Sequence, residues 1–188
     1  MTKKSKMTVQ VSYARRPLAR RNAIGLTALG PDQFEGYASL FGVADGAGDR
    51  VMPGAFAASL RRRGAGDVRM LYQHLSHAPI GVWEEITEDW RGLYVRGRLS
   101  TAIEQARDIR ALLADGALNG LSIGFRTVRA RREQAQGQIG RLLQEVDLWE
   151  ISVVTFPLLT GSTVTSIGAR TDLARVFRAG AAAMRAAE

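Results

Sequence analysis

An α+β, β-rich fold is the class this 188-residue sequence predicts, and three observations predict it. Short runs that alternate apolar and polar residues recur along the chain, which is the periodicity of strands. One segment carries a clear helical stripe. There is no strand–helix–strand alternation and no internal repeat, so the pattern fits a β-rich barrel or sandwich carrying helices rather than a doubly wound sheet.

The elements follow in order. Phe34–Phe41 alternates and is rich in aromatics, a strand, and Asp45–Asp49 is a turn-rich loop. Pro53 stands where a short helix can begin, running through Ala55 to Arg63. Val68–Gln73 and Ile80–Ile86 read as strands, and Leu93–Leu99 as another after the tight turn Asp89-Trp90-Arg91-Gly92. Thr101–Ala114 is the helix, with Ile103, Ala106, Ile109, Leu112 and Leu113 as its stripe and Gly116 as its stop. Leu121–Arg131 and Arg141–Thr155 are strands, and the polar Arg132–Gly140 between them is a hairpin loop or a flexible excursion. The expected organisation is a basic N-terminal tail (1–31), a folded domain (32–168) and an Ala/Arg-rich, weakly helical C-terminal tail (169–188).

Composition narrows the function classes. Apolar residues make up 46% of the chain, enough for a packed core. No stretch approaches the ~18 uninterrupted apolar residues of a membrane span, and no long apolar run follows the basic N-terminus as in a secretory signal. Cysteine is absent, which removes disulfides, thiolate catalysis and cysteine-bound metal and fits a cytoplasmic protein. The net charge is +8, but Met1–Pro31 holds seven basic residues and no acidic one; without them the rest carries +1. The basic character is thus largely a tail, solvated or bound to a polyanion, and a nucleic-acid-binding domain is disfavoured. A mitochondrial presequence shares this acid-poor, arginine-rich look, yet no clean helical stripe supports one.

Chemistry concentrates in a few residues. Gly120-Leu121-Ser122-Ile123-Gly124 matches the G-x-S-x-G pattern. The strand–serine–helix order of a nucleophile elbow is reversed here, and no histidine follows Ser122, so an α/β-hydrolase is excluded. A serine hydrolase is not, because such sites are defined by geometry and not by chain order. Any Ser–His couple must use His74 or His77, since no other histidine exists. His74 closes an apolar strand and can be aimed by its neighbours, whereas His77 lies in a loop. Either can instead be structural or solvated. The His-x-x-His spacing raises a metal site, but Pro79 and the preceding strand argue against the helix that spacing needs. Glu150, in the strand Asp147–Val154, is the candidate to orient an imidazole, with Asp147 in reserve. Period two places Leu148, Glu150, Ser152 and Val154 on one face, where a buried carboxylate would require a partner. An exposed face with Glu150 in water is the plain alternative.

Taken together, several segments resemble the prohead protease family of tailed phages. They are Phe34–Gly42, Val51–Phe56, Leu71–His74, Pro79–Trp83, Gly92–Val95, Gly116–Phe125 and Glu145–Ser152, in that order and spanning about Gln33 to Ile167. The resemblance implies a relative of the herpesvirus assembly proteases, with a β-barrel core surrounded by helices. It implies a serine endopeptidase that enters the immature shell in the host cytoplasm, cuts the major capsid protein or its scaffolding segment, and cuts itself. The family's histidine falls on His74, its nucleophile on Ser122 and its third residue on Glu150. No cofactor and no membrane partner are expected, and the oligomeric state is left open, a homodimer being one option. Two departures stand out. Leu158-Leu159-Thr160-Gly161 follows Phe156-Pro157 where the family continues with small and polar residues, and no arginine follows Glu150 until Arg170. The donors for the oxyanion are therefore unassigned, with backbone N–H groups as the default. The rival reading is a non-catalytic capsid assembly factor of the same fold.

Overall fold

The computed structural model describes residues 28–135 and 138–169. The two tails expected from the sequence lie outside the described residues, apart from a few residues at their inner ends. Eight strands and two helices follow in the order β1 (Gln33–Leu40), β2 (Arg50–Val51), α1 (Ala57–Arg63), β3 (Arg69–Tyr72), β4 (Pro79–Glu88), β5 (Gly92–Leu99), α2 (Glu104–Ala114), β6 (Gly120–Ala135), β7 (Gln138–Val154) and β8 (Val164–Ile167). All eight strands join one sheet, ordered β2-β7-β3-β4-β5-β1-β8, with β6 paired to β7.

The β-rich class expected from the sequence is what forms, and the word barrel is corrected. The far edge, β8, meets the start of β6 only through an isolated bridge between Gly120 and Thr163. Two flanking bonds support it: Leu121 N–H to the Ser162 carbonyl at 2.8 Å and Val164 N–H to the Asn119 carbonyl at 2.8 Å. The sheet bends round without a closing ladder: β8 is four residues long, pairs with β1 on one edge, and contacts β6 on the other only at this end.

Alternation builds the core. Phe34, Leu93, Val95, Leu99, Leu121, Leu148, Ile151 and Val153 project inward from β1, β5, β6 and β7 and are essentially inaccessible. Burial of each such side chain stabilises by about 1.5–3 kcal/mol. On α2 the inward stripe is Ala106, Ile109 and Leu113, whereas Ile103 and Leu112 remain exposed. Helix α1 packs on β7, where the buried Ser59 hydroxyl accepts the Leu148 N–H at 2.9 Å.

Three boundaries differ from the sequence expectation. Arg132–Gly140 is mostly ladder and not loop: β6 and β7 pair residue by residue out to Ala135 opposite Gln138. Polar strands of this kind are held by each other's backbone, which a hydrophobic pattern does not report. The short β2 and β8 carry too few apolar residues to show a period. Helix α1 starts at Ala57, because Pro53 and Gly54 form a turn before it.

Candidate active site

Three neighbouring strands carry the site. β7 lies between β6, antiparallel to it, and β3, parallel to it. In this register Ser122 sits opposite Ser152, Gly124 opposite Glu150, and Leu71 beside Ser152. Ser122 and Glu150 thus stand on adjacent strands, and the chain leaving β3 passes directly over them.

His74 reaches them by an unusual backbone. Gln73 and His74 are the two non-glycine residues with left-handed backbones among the described residues, at φ of 53° and 60°. Such conformations cost roughly 1–3 kcal/mol each and persist where the surroundings fix them. Here the Gln73 N–H donates to the Val153 carbonyl at 3.0 Å, and the His74 N–H to Ser152 Oγ at 3.0 Å. The Gln73 amide also donates to Thr155 Oγ1 at 2.7 Å. The turn is stitched to β7 along its length.

The imidazole of His74 bridges the other two residues. Nδ1 lies 2.6 Å from Glu150 Oε1 and Nε2 lies 2.9 Å from Ser122 Oγ. A carboxylate accepts and does not donate, so Nδ1 carries the proton and the Nε2 lone pair faces the serine hydroxyl. Glu150 is further held by Ser152, whose hydroxyl donates to Oε2 at 2.8 Å. The glutamate side chain is 14% exposed and the histidine 45%, so the carboxylate is sheltered while the imidazole faces solvent. This arrangement can deprotonate a hydroxyl and stabilise the imidazolium that results.

Two supporting residues were not singled out by the sequence. Ser152 is completely buried and serves both partners, accepting from the His74 backbone and donating to Glu150. Its position two residues after Glu150 on one strand face was the available signal. Gly124 is the second: a Cβ there would lie 2.0 Å from Glu150 Oε1, so only glycine leaves room for the carboxylate. It is the last glycine of the G-x-S-x-G run, a motif whose serine draws the attention.

The reserve carboxylate lies elsewhere. Asp147 is bound by Arg62, by Arg63 at 3.1 Å through both oxygens, and by Trp149 Nε1 at 2.8 Å. These donors hold its carboxyl well below the usual carboxylate range, the Arg63 hydrogen bonds first. His77 is exposed in the loop after His74, and no contact with Ser122 or Glu150 is found for it among the described residues. Among those residues, no three or more histidines and carboxylates gather into a ligand set. No helix there is long and apolar enough to cross a membrane.

Comparison with known proteins identifies the family and the fold. The model of the caudovirus prohead serine protease family matches residues 21–175. The prohead protease of Enterobacteria phage HK97 is 39% identical over 126 residues, covering 66% of this chain and 55% of the relative. The chain thus spans about half the length of that curated relative. Among solved structures, the KSHV protease in complex with a hexapeptide phosphonate inhibitor superposes with a TM-score of 0.50 at 11% identity, over 70% of this chain and 63% of that one. The varicella-zoster virus protease gives a TM-score of 0.43 at 16% identity, over 70% and 62%. At such identity the KSHV likeness concerns the fold, and it agrees with the herpesvirus-protease-like core expected from the sequence. A family match over most of the sequence, carried by a fold of this kind, makes the chain a member of the caudovirus prohead serine protease family.

Proposed function

We propose that the chain is a serine endopeptidase that processes the major capsid protein, or its scaffolding segment, inside the assembling prohead in the host cytoplasm, and that it also cuts itself. The observation that carries this reading is the His74 ring standing between Ser122 Oγ and Glu150 Oε1 at 2.9 and 2.6 Å. The name of the HK97 relative supports the choice of substrate.

In this mechanism His74 Nε2 takes the Ser122 proton as Oγ attacks the scissile carbonyl carbon. Glu150 fixes the imidazole tautomer and stabilises the imidazolium. Backbone N–H groups near Ser122 hold the oxyanion, each such donor contributing about 3–4 kcal/mol in related chemistry. The imidazolium returns its proton to the leaving amine, and the C–N bond breaks. Water, deprotonated by His74, then attacks the acyl-enzyme and restores Ser122.

Co-expression with the capsid precursor tests the proposal, the shell subunit being weighed by intact-mass spectrometry. The wild type is expected to shorten the subunit and itself, while Ser122→Ala leaves both at full length with an unchanged circular dichroism spectrum. Continued processing by that variant overturns the assignment of the nucleophile. A fluorophosphonate probe separates the enzyme from a non-catalytic assembly factor, because it labels only an activated serine.

A further inference from the structure

Past Gly124 one face of the β6–β7 ribbon turns basic. Ser122, Gly124 and Arg126 alternate onto one face of β6, and the ladder sets Arg126 opposite Asp147, Arg129 opposite Glu145 and Arg131 opposite Leu142. Arg126 and Arg129 are an odd number of residues apart, so regular alternation would send them to opposite faces. The pairing skips Val128, an extra residue in β6, and Arg129 returns to the face of Arg126. The charges on this face do not cancel. Buried Asp147 is shared by Arg62, Arg63 and Arg126, the last at 3.7 Å, so three guanidiniums answer one carboxylate. The side chains of Arg62 and Arg126 stay 57% and 71% exposed despite that contact. Arg129 and Arg131 are exposed, and their side chains form no ion pair or hydrogen bond among the described residues.

We propose, resting on the protease reading above, that this arginine row docks an acidic, extended stretch of the substrate that lies several residues from the bond being cut. At a rise of about 3.3 Å per residue, Arg126 stands roughly 13 Å along β6 from Ser122 and Arg131 roughly 25–30 Å. The row therefore meets the substrate about four residues or more from the scissile bond. An open groove of about 300 Å³ between Gly124, Phe125, Arg126, Trp149 and Glu150 leaves the path between them clear. Spacing and donor geometry choose the partner. Arg129 and Arg131 are two residues apart on a strand, and alternate residues of an extended peptide present carboxylates at the same period of about 6.6 Å. A planar guanidinium grips a carboxylate through two parallel N–H donors. Nucleic acid fits less well, because Glu145 and Asp147 stand opposite the arginines and an unbroken phosphate chain would pass over both. Exposed charge pairs of this kind add little affinity singly, but a row of them speeds capture and fixes register.

The test measures cleavage of the capsid precursor by the full chain, with deca-glutamate as competitor and fluorophosphonate labelling as a reading of Ser122 alone. In the wild type, deca-glutamate should raise the apparent KM and leave labelling unchanged, and the inhibition should fade as sodium chloride is raised. The paired variant Arg129→Glu with Arg131→Glu should raise KM about tenfold at unchanged kcat, the mark of lost binding shared by ground and transition states. It should also lose the response to deca-glutamate. Arg129→Lys with Arg131→Lys keeps the charge and should stay close to the wild type.

An unchanged KM in the glutamate pair overturns the proposal, as does equal inhibition by deca-lysine. Stronger inhibition by a ten-nucleotide oligothymidylate overturns it in favour of nucleic acid. Inhibition that survives in the glutamate pair and vanishes when Arg15, Arg16, Arg20 and Arg21 are changed to Gln moves the docking to the N-terminal segment and overturns it too. If the glutamate pair fails to label, the lysine pair and the competition on the wild type decide. Wild-type labelling without any effect of deca-glutamate rejects the docking surface alone. Absence of both labelling and cleavage in the wild type rejects the protease reading and the docking surface with it.

Discussion

Ser122, His74 and Glu150 come together because three side chains share two small platforms. Ser152 Oγ accepts the His74 N–H and donates to Glu150, so one hydroxyl fixes both the histidine backbone and the carboxylate beside its ring. Ser152→Ala leaves the His74 N–H and one carboxylate oxygen unpaired, a loss of about 1–3 kcal/mol. It should lower kcat for precursor processing with little change in KM, and thermal unfolding should show the stability loss. Gly124 is the second platform. Gly124→Ala forces Glu150 off its present position, since the added methyl would overlap Oε1. Processing should slow by about 10²-fold, as expected when a reacting group is displaced by about 1 Å, and the far-ultraviolet spectrum should stay unchanged. Glu150→Gln tests tautomer control more directly. With an amide beside Nδ1 the favoured tautomer is no longer imposed, and fluorophosphonate labelling should slow by about 10⁴-fold.

At the scale of elements, the register of β6 on β7 and of β3 on β7 decides which residues meet. β7 is the shared partner, and the turn after β3 is bonded to it through Val153, Ser152 and Thr155. Helix α2 instead ties the two ends of the folded region together. Its buried Arg110 donates to the Pro31 carbonyl at 2.7 Å and the Gly168 carbonyl at 3.0 Å, with Asp32 at 3.3 Å. One guanidinium therefore holds the segment leading into β1 and the one leaving β8. Arg110→Met keeps much of the side-chain volume and strips two carbonyls of their donor. A loss of about 2–3 kcal/mol is expected, seen as a melting point lower by roughly 5–10 °C, with the site geometry retained.

At the scale of the whole molecule, Asp147 couples folding stability to acid pH. Its carboxyl titrates below the ordinary value of 3.8 because Arg63, Trp149 and Arg62 bind the charged form. A depressed folded-state value contributes stability that is complete above the unfolded carboxylate range and is lost as pH falls through the folded value. Unfolding followed by circular dichroism from pH 7 down to pH 2 should show wild-type stability falling below about pH 4. Asp147→Asn should be less stable at neutral pH and should show a flatter acid limb. An equally steep limb in that variant would remove Asp147 as its source.

Strand periodicity and the stripe of α2 made the β-rich class readable in the linear chain, while the scarcity of histidine narrowed a Ser–His couple to His74 or His77 and the family resemblance singled out His74, Ser122 and Glu150. These are local properties: alternation reports which face is buried, and two histidines leave few couples to choose from. The polar outer half of the β6–β7 hairpin, the short β2 and β8, the incomplete closure of the sheet, and the room that Gly124 leaves for Glu150 had no such signature. Each depends on what another part of the chain places opposite it. A ladder is held by its partner's backbone, and a glycine is required by a carboxylate 26 positions later. Amino-acid order sets what each residue prefers; the distances between residues remote in the chain are set by the register of the folded sheet.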